Sequence, residues 1–268
     1  MVLFTDQMGR TITLEQRPKR IISIVPSQTE LLFDLGLNNE VAGITKFCIH
    51  PEEMFRTKPR VGGTKKLDFE KIRSLKPDLI IGNKEENQQE QVEELMKEFP
   101  VWMSDIYTLD DSLRMIRAVG EVTGKDKESE RITHNIRQGF DELKSSALMP
   151  PDYKLKTAYF IWKDPYMLAG GNTFIDHMLQ LCCFENAFAN TLRYPSITED
   201  DLRAAAPSLI LLSSEPYPFK EKHIEEFRAI CPSAKVMVVD GEMFSWYGSR
   251  LQHAPAYLSS LVKDIFAQ

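Results

Sequence analysis

Residues 69–82 read F-E-K-I-R-S-L-K-P-D-L-I-I-G, and residues 200–212 read D-D-L-R-A-A-A-P-S-L-I-L-L. Each is a short helical segment, a proline, and then an apolar run of strand length. Proline disfavours the helical conformation in the residue before it, so the helix must stop there and the chain runs on extended. An uninterrupted apolar strand is one buried on both faces, as in parallel sheets. Pro77 and Pro207 stand 130 residues apart (207 − 77), and a further helix and strand follow each at similar distance. This echo predicts two similar lobes rather than one continuous sheet. Two lobes create a cleft, where ligands are commonly held.

The same cadence runs outward from both copies. Upstream, residues 3–14 alternate around Met8-Gly9, which predicts a small hairpin. Residues 20–37, R-I-I-S-I-V-P-S-Q-T-E-L-L-F-D-L-G-L, predict a strand ending at Pro26 and a helix ending at Gly36. Ser27 and Glu30 have capping-box spacing at the start of that helix. Strands are expected at 41–45, 78–81 and 101–104, with helices near 67–76 and 86–98. The cadence then breaks into a helix at 110–123 and a longer one at 126–147. In the longer one Ile132, Ile136, Phe140 and Leu143 form one apolar stripe on a charged rod. Met149-Pro150-Pro151-Asp152 is expected to close it. Strands near 157–162, 209–212 and 236–239 then alternate with helices near 173–183, 198–206, 220–230 and 254–266. The fold class is therefore α/β: two Rossmann-like lobes with central parallel sheets, joined by a long helix. The expected boundaries are 1–122 for the first lobe, 123–151 for the linking helix and 152–268 for the second lobe.

Composition narrows the function. Hydrophobic residues at 43% suffice for a packed core, and a net charge of −6 argues against a nucleic-acid surface. No apolar run approaches the ~18 residues of a membrane span. The N-terminus, M-V-L-F-T-D, has neither a basic region nor a long apolar one, so no secretory signal is expected in this chain. Cys48, Cys182, Cys183 and Cys231 lack disulfide-framework or zinc spacing and are expected to be buried free thiols. The five histidines show no metal-binding spacing. Phosphate-binding glycine motifs and the G-x-S-x-G elbow are absent, and Gly62-Gly63 and Gly170-Gly171 read as tight turns. No catalytic residues and no cofactor are predicted.

What the chain does offer is aromatic. Phe47, Trp162, Tyr166, Tyr194, Phe244, Trp246 and Tyr247 fall in expected loops or at strand ends. Residues 240–250, D-G-E-M-F-S-W-Y-G-S-R, concentrate three of these rings with Arg250. That segment reads as a loop and as part of the lip of the second lobe. Its rings would contact a broad apolar ligand, and Arg250 would meet an anionic group on it.

Residues 8–36, M-G-R-T-I-T-L-E-Q-R-P-K-R-I-I-S-I-V-P-S-Q-T-E-L-L-F-D-L-G, resemble the opening of the helical-backbone substrate-binding proteins of iron-siderophore, haem and cobalamin ABC importers. The resemblance continues through V-G-G-T (61–64), L-K-P-D-L-I-I-G (75–82), L-A-G-G-N-T-F (168–174) and E-N-A-F (185–188), and covers nearly the whole chain. It is nearest to the cobalamin-binding branch. It implies two α/β lobes bridged by a rigid helix, and capture of a metal chelate (a corrinoid, haem or a ferric siderophore) for delivery to a permease dimer in the inner membrane. The resemblance places Phe47, Trp162, Tyr194, Glu242 and Arg250 at ligand positions. Thr64 and Asn83 stand where that branch carries tryptophans. Cys182 matches a half-cystine, with no partner cysteine in the final helix. Glu70 and Asp200, each seven residues before its lobe's proline, would dock the permease. The implied state is a monomer, periplasmic or anchored at the cell surface; a chain that is native as it stands would be cytoplasmic. Two alternatives remain at this point. One is a two-lobed tetrapyrrole metal chelatase using His50 or His177 with an acid, and the other an intracellular corrinoid carrier or sensor.

Overall fold

The computed structural model describes residues 1–146 and 154–266 of the chain. They form two units. The first comprises Met1–Ile106, Asp110–Ile136 and Tyr247–Arg250; the second comprises Tyr107–Leu109, Arg137–Trp246 and the chain from Leu251.

The first unit opens with an antiparallel hairpin of β1 (Val2–Thr5) and β2 (Thr11–Leu14). Gly9, at φ 75, supplies the left-handed turn residue the alternation calls for. The hairpin is pinned by Asp6, which accepts from the Met8 and Arg10 amides at 2.9 Å and pairs with the Arg10 guanidinium at 2.8 Å. There follow β3 (Ile21–Ser23), α1 (Pro26–Asp34), β4 (Val41–Ile44), α2 (Glu52–Thr57), α3 (Phe69–Leu75), β5 (Leu79–Asn83), α4 (Gln89–Met96) and β6 (Val101–Ser104). The four strands β4-β3-β5-β6 are all parallel. Every residue of β5 is buried, as its unbroken apolar run requires. Ile22, Ile24, Ile72, Ile80 and Val101 lie in one core cluster of this unit. Helices α5 (Leu109–Thr123) and α6 (Asp126–Ser145) follow. Ile132, Ile136, Phe140 and Leu143 on α6 are buried, as the stripe predicted. The division between units falls within α6, at Ile136/Arg137. The expected closure at residues 149–152 lies outside the described residues.

The second unit contains β7 (Leu155–Trp162), β8 (Tyr166–Leu168), α7 (Phe174–Leu181), β9 (Phe184–Asn186), β10 (Ser196–Ile197), α8 (Glu199–Ala205), β11 (Leu209–Ser213), α9 (Ile224–Ile230), β12 (Lys235–Val239), α10 (Glu242–Ser245) and α11 (Ala254–Phe266). Its sheet runs β10-β8-β7-β11-β12, with β9 on β7. β11 is parallel to both neighbours, but β8 is antiparallel to β7 and β10 to β8. The expectation of a wholly parallel sheet is thus corrected at this edge. Lys163–Pro165 turns the chain straight back, and a turn that short joins only antiparallel strands.

The sequence echo is exact in structure at several positions. Each helix has a polar N-cap, Asp68 accepting from the Lys71 amide and Thr198 from the Asp201 amide. Each ends on a left-handed residue before its proline: Lys76 at φ 45, ψ 61 and Ala206 at φ 45, ψ 58. After each proline the next amide donates to the adjoining strand's side of the sheet, Asp78 to the Arg20 carbonyl at 3.1 Å and Ser208 to the Lys156 carbonyl at 2.8 Å.

The capping box expected at Ser27 and Glu30 is not formed. Helix α1 starts a residue earlier, with Val25 as N-cap and Pro26 in the first turn, so Ser27 and Glu30 lie inside the helix. Glu30 is then released for another partner.

Candidate functional site

In an open parallel sheet, ligands meet the carboxyl ends of the strands. In the first unit these ends carry buried hydroxyls and amides, with the Lys84–Asp105 ion pair at 2.7 Å just beyond β5 and β6. The Thr29 hydroxyl donates to Ser23 Oγ at 2.8 Å, and Gln28 Nε2 to Ser104 Oγ at 2.5 Å. Asn83 donates to Ser104 Oγ at 2.9 Å and accepts from the Glu85 and Glu86 amides at 2.8 and 3.1 Å. It is buried, and its amide fixes the turn after β5. Thr64 is buried too, its carbonyl accepting from Asn87 Nδ2 at 3.1 Å. Phe47 is different: it follows β4 and is 50% exposed, with the Lys46 ammonium 5.0 Å from its ring centre. Cys48 beside it points inward against the Thr29 and Thr45 hydroxyls, both at 3.1 Å, and burial raises its thiol pKa.

In the second unit Trp162 ends β7 and is 39% exposed. Tyr166, half-buried on β8, donates its hydroxyl to Glu226, which also pairs with Lys163. Burial, then that carboxylate, raises the tyrosine's pKa. Tyr194 is half-buried in the chain leading to β10.

Residues 240–250 correct the loop expectation. The segment forms α10 and, at Ser249–Gln252, a 3-10 turn. Phe244 is fully buried, its ring 5.0 Å from that of Tyr159 and 6.5 Å from that of Tyr257. Tyr247 and Trp246 are buried as well. The Tyr247 carbonyl accepts from the Ser112 hydroxyl at 2.6 Å. Trp246 Nε1 donates to Glu215 Oε1 at 2.9 Å, and the Ser245 hydroxyl donates to the same oxygen at 2.8 Å. Burial raises the Glu215 pKa, and nearby Glu242 and Asp240 add to the rise. Glu242 is half-buried at the start of α10, its amide donating to Asp240 Oδ1 at 3.0 Å.

Arg250 is engaged where the sequence reading had it meeting a ligand anion. Its Nε and Nη2 form a two-pronged pair with Glu30, at 2.8 and 2.7 Å. Both side chains are largely buried, at 13% and 15% exposure. Burial outweighs the guanidinium and leaves the Glu30 pKa raised.

Two residues went unremarked in the sequence. The Tyr217 ring meets Trp162 at 5.6 Å and 71°, and the carboxylate of Glu215 stands two residues before it. The signal was the Pro-Tyr-Pro at 216–218, three residues beyond the end of a buried strand. Glu70 and Asp200 occupy the second position of α3 and α8, and both are exposed. The expectation of buried thiols holds for Cys48, Cys182 and Cys231 but not Cys183, which is exposed. It lies just past α7 at φ 57, exposed where its neighbour Cys182 is buried. Among the described residues no cluster of histidine, cysteine and acid could hold a metal. No helix among them is long and apolar enough to cross a membrane.

A family model described as periplasmic binding protein matches residues 21–229. An uncharacterized ABC transporter substrate-binding lipoprotein of Bacillus subtilis, YvrC, is 24% identical over 100% of this chain and 87% of its own. The vitamin B12-binding protein of Pectobacterium atrosepticum is 25% identical over 92% of this chain and 90% of its own. Among solved structures, the periplasmic vitamin B12 binding protein BtuF of Vibrio cholerae superposes with a TM-score of 0.80 at 22% identity, covering 94% of this chain and 99% of that one. The molybdate-bound periplasmic protein MolA of Haemophilus influenzae superposes at 0.84 with 14% identity, covering 100% and 92%. At such identities the superpositions speak to fold alone.

Proposed function

Because the chain belongs to the periplasmic binding protein family, the non-catalytic substrate-binding components of ABC importers, we propose that its solute is a cobalamin-like corrinoid, delivered to a permease dimer in the membrane. One observation carries the ligand class. Each unit leaves a large ring half open at the carboxyl ends of its parallel strands, Phe47 after β4 and Trp162 ending β7. Rings so placed suit a broad apolar body and gain ~0.5–1.5 kcal/mol each beyond burial. The main basic group expected for an acid-bearing ligand, Arg250, is engaged by Glu30. Kinship with vitamin B12-binding proteins over nine-tenths of both chains supports the choice.

The metal-insertion alternative using His50 or His177 falls with the family, which carries no catalysis. Glu70 and Asp200 are proposed as the permease-facing acids, since each holds the same place on its unit's repeated helix.

Titration with cyanocobalamin, haemin and a ferric hydroxamate tests the reading. Cyanocobalamin is expected to quench the fluorescence of Trp162, with the quench lost in Trp162→Phe. Binding of haemin alone, or of none of the three, would overturn it.

A further inference from the structure

The carboxyl end of the second unit's sheet holds a corner that the ligand residues read from sequence leave out. Trp162 ends β7, and Tyr217 lies just beyond β11, the parallel neighbour of β7. Their rings meet edge to face at 5.6 Å. Tyr217 is held from behind by Phe219, with ring centres 4.7 Å apart, and by His223 at 5.7 Å. Its amide donates to the Ile161 carbonyl at 3.3 Å, which ties the segment to β7. Pro216 and Pro218 flank it and remove backbone freedom on both sides. A ring this firmly fixed, yet only half-buried, is pre-ordered for contact.

Glu215 precedes the Tyr217 ring by two residues. Its Oε1 takes both available donors, the buried Trp246 indole at 2.9 Å and the Ser245 hydroxyl at 2.8 Å. Among the described residues no donor reaches Oε2 and no cation pairs with the group. A carboxylate oriented by two neutral donors presents its other oxygen as a strong acceptor. Asp240 and Glu242 lie close enough to bear on its charge, so the surroundings repel a ligand carboxylate.

We propose that Tyr217 and Glu215 form a ligand-contacting corner of the second unit, selecting chelates with amide or amine hydrogens around an apolar body over chelates that present carboxylates. Trp246 then acts through Glu215 as a positioning residue, which accounts for a buried indole beside an acid. This rests on the reading that a chelate docks at these strand ends.

The test is equilibrium dialysis of the whole chain with cyanocobalamin, a neutral ferric hydroxamate and haemin, followed by chelate absorbance. Tyr217→Ala is expected to weaken the amide-bearing chelate that binds by roughly tenfold, and Tyr217→Phe by less than about twofold, since the ring and not the hydroxyl makes the contact. Glu215→Gln keeps an acceptor for Trp246 and Ser245 but loses the charge; it is expected to weaken the same chelate roughly tenfold and to leave haemin unchanged or tighter. Unchanged cyanocobalamin and hydroxamate affinity in Tyr217→Ala and Glu215→Gln, each still melting in one cooperative transition, would overturn this corner and spare the general reading. A wild-type chain that prefers haemin would overturn the selection by charge. Binding of none of the three would remove both this proposal and the reading beneath it.

Discussion

A methyl group on Gly248 would lie 2.5 Å from the Ser27 carbonyl oxygen, a backbone atom with no room to yield. Gly248→Ala is therefore expected to lower stability by at least about 1–3 kcal/mol, measured by urea melts. Two residues on, Glu30→Gln takes the carboxylate charge away from the largely buried Arg250 guanidinium. That change is expected to cost on the order of 3 kcal/mol in the same assay, toward the low end for a buried pair. Glu215 shares the raised pKa of Glu30 but faces no cation that the loss of its charge would strand. Its folded pKa lies above the ordinary carboxylate value because it is buried. Stability from such a group is fully present below the unfolded pKa and is lost as pH rises through the folded one. Glu215→Gln should thus melt above the wild type near neutral pH, with the gap narrowing toward acid; a constant gap from pH 4.5 to 7.5 would contradict this. Trp246 and Arg250 were visible in the sequence as residues of note, but their partners were not. Glu215 and Glu30 lie 31 and 220 positions away, and no local pattern encodes such pairings.

The repeated helix-proline-strand element was legible because its rules are local: a polar N-cap, an apolar stripe, a proline stop. Ala206 was not legible as a strained residue, since alanine gives no sign of a left-handed backbone. Replacing it with glycine removes the Cβ penalty, and Ala206→Gly is expected to raise stability by about 0.5–1 kcal/mol despite glycine's greater unfolded entropy. A loss would mean that the Ala206 methyl group contributes packing. The elements that escaped reading were α2, the two- and three-residue strands β8, β9 and β10, and α10. None is long enough to complete two periods, so periodicity had nothing to register. The misplaced start of α1 has a different cause: Ser27 and Glu30 satisfied a spacing rule, while Pro26 suited the first turn better.

Across the whole molecule, the two-unit α/β plan was readable from one recurrence at 130 residues, whereas the exposure of individual rings was not, because it depends on which distant elements cover them. Phe47 and Phe244 look alike in sequence, yet one is half open and the other sealed. The docking proposal belongs at this scale. Charge reversal at both acids, Glu70→Lys with Asp200→Lys, is expected to reduce ligand-driven association with permease-containing vesicles at least tenfold while leaving ligand Kd unchanged; parallel loss of both would point to misfolding. The short excursion Tyr247–Arg250, counted with the first unit although the chain on either side belongs to the second, bears on how the gene can be divided. A fragment ending at Ser146 would lack the cation that answers Glu30 and the carbonyl that answers Ser112. Neither half made alone should reach its native state, and co-expressed halves should be soluble only as a reconstituted pair.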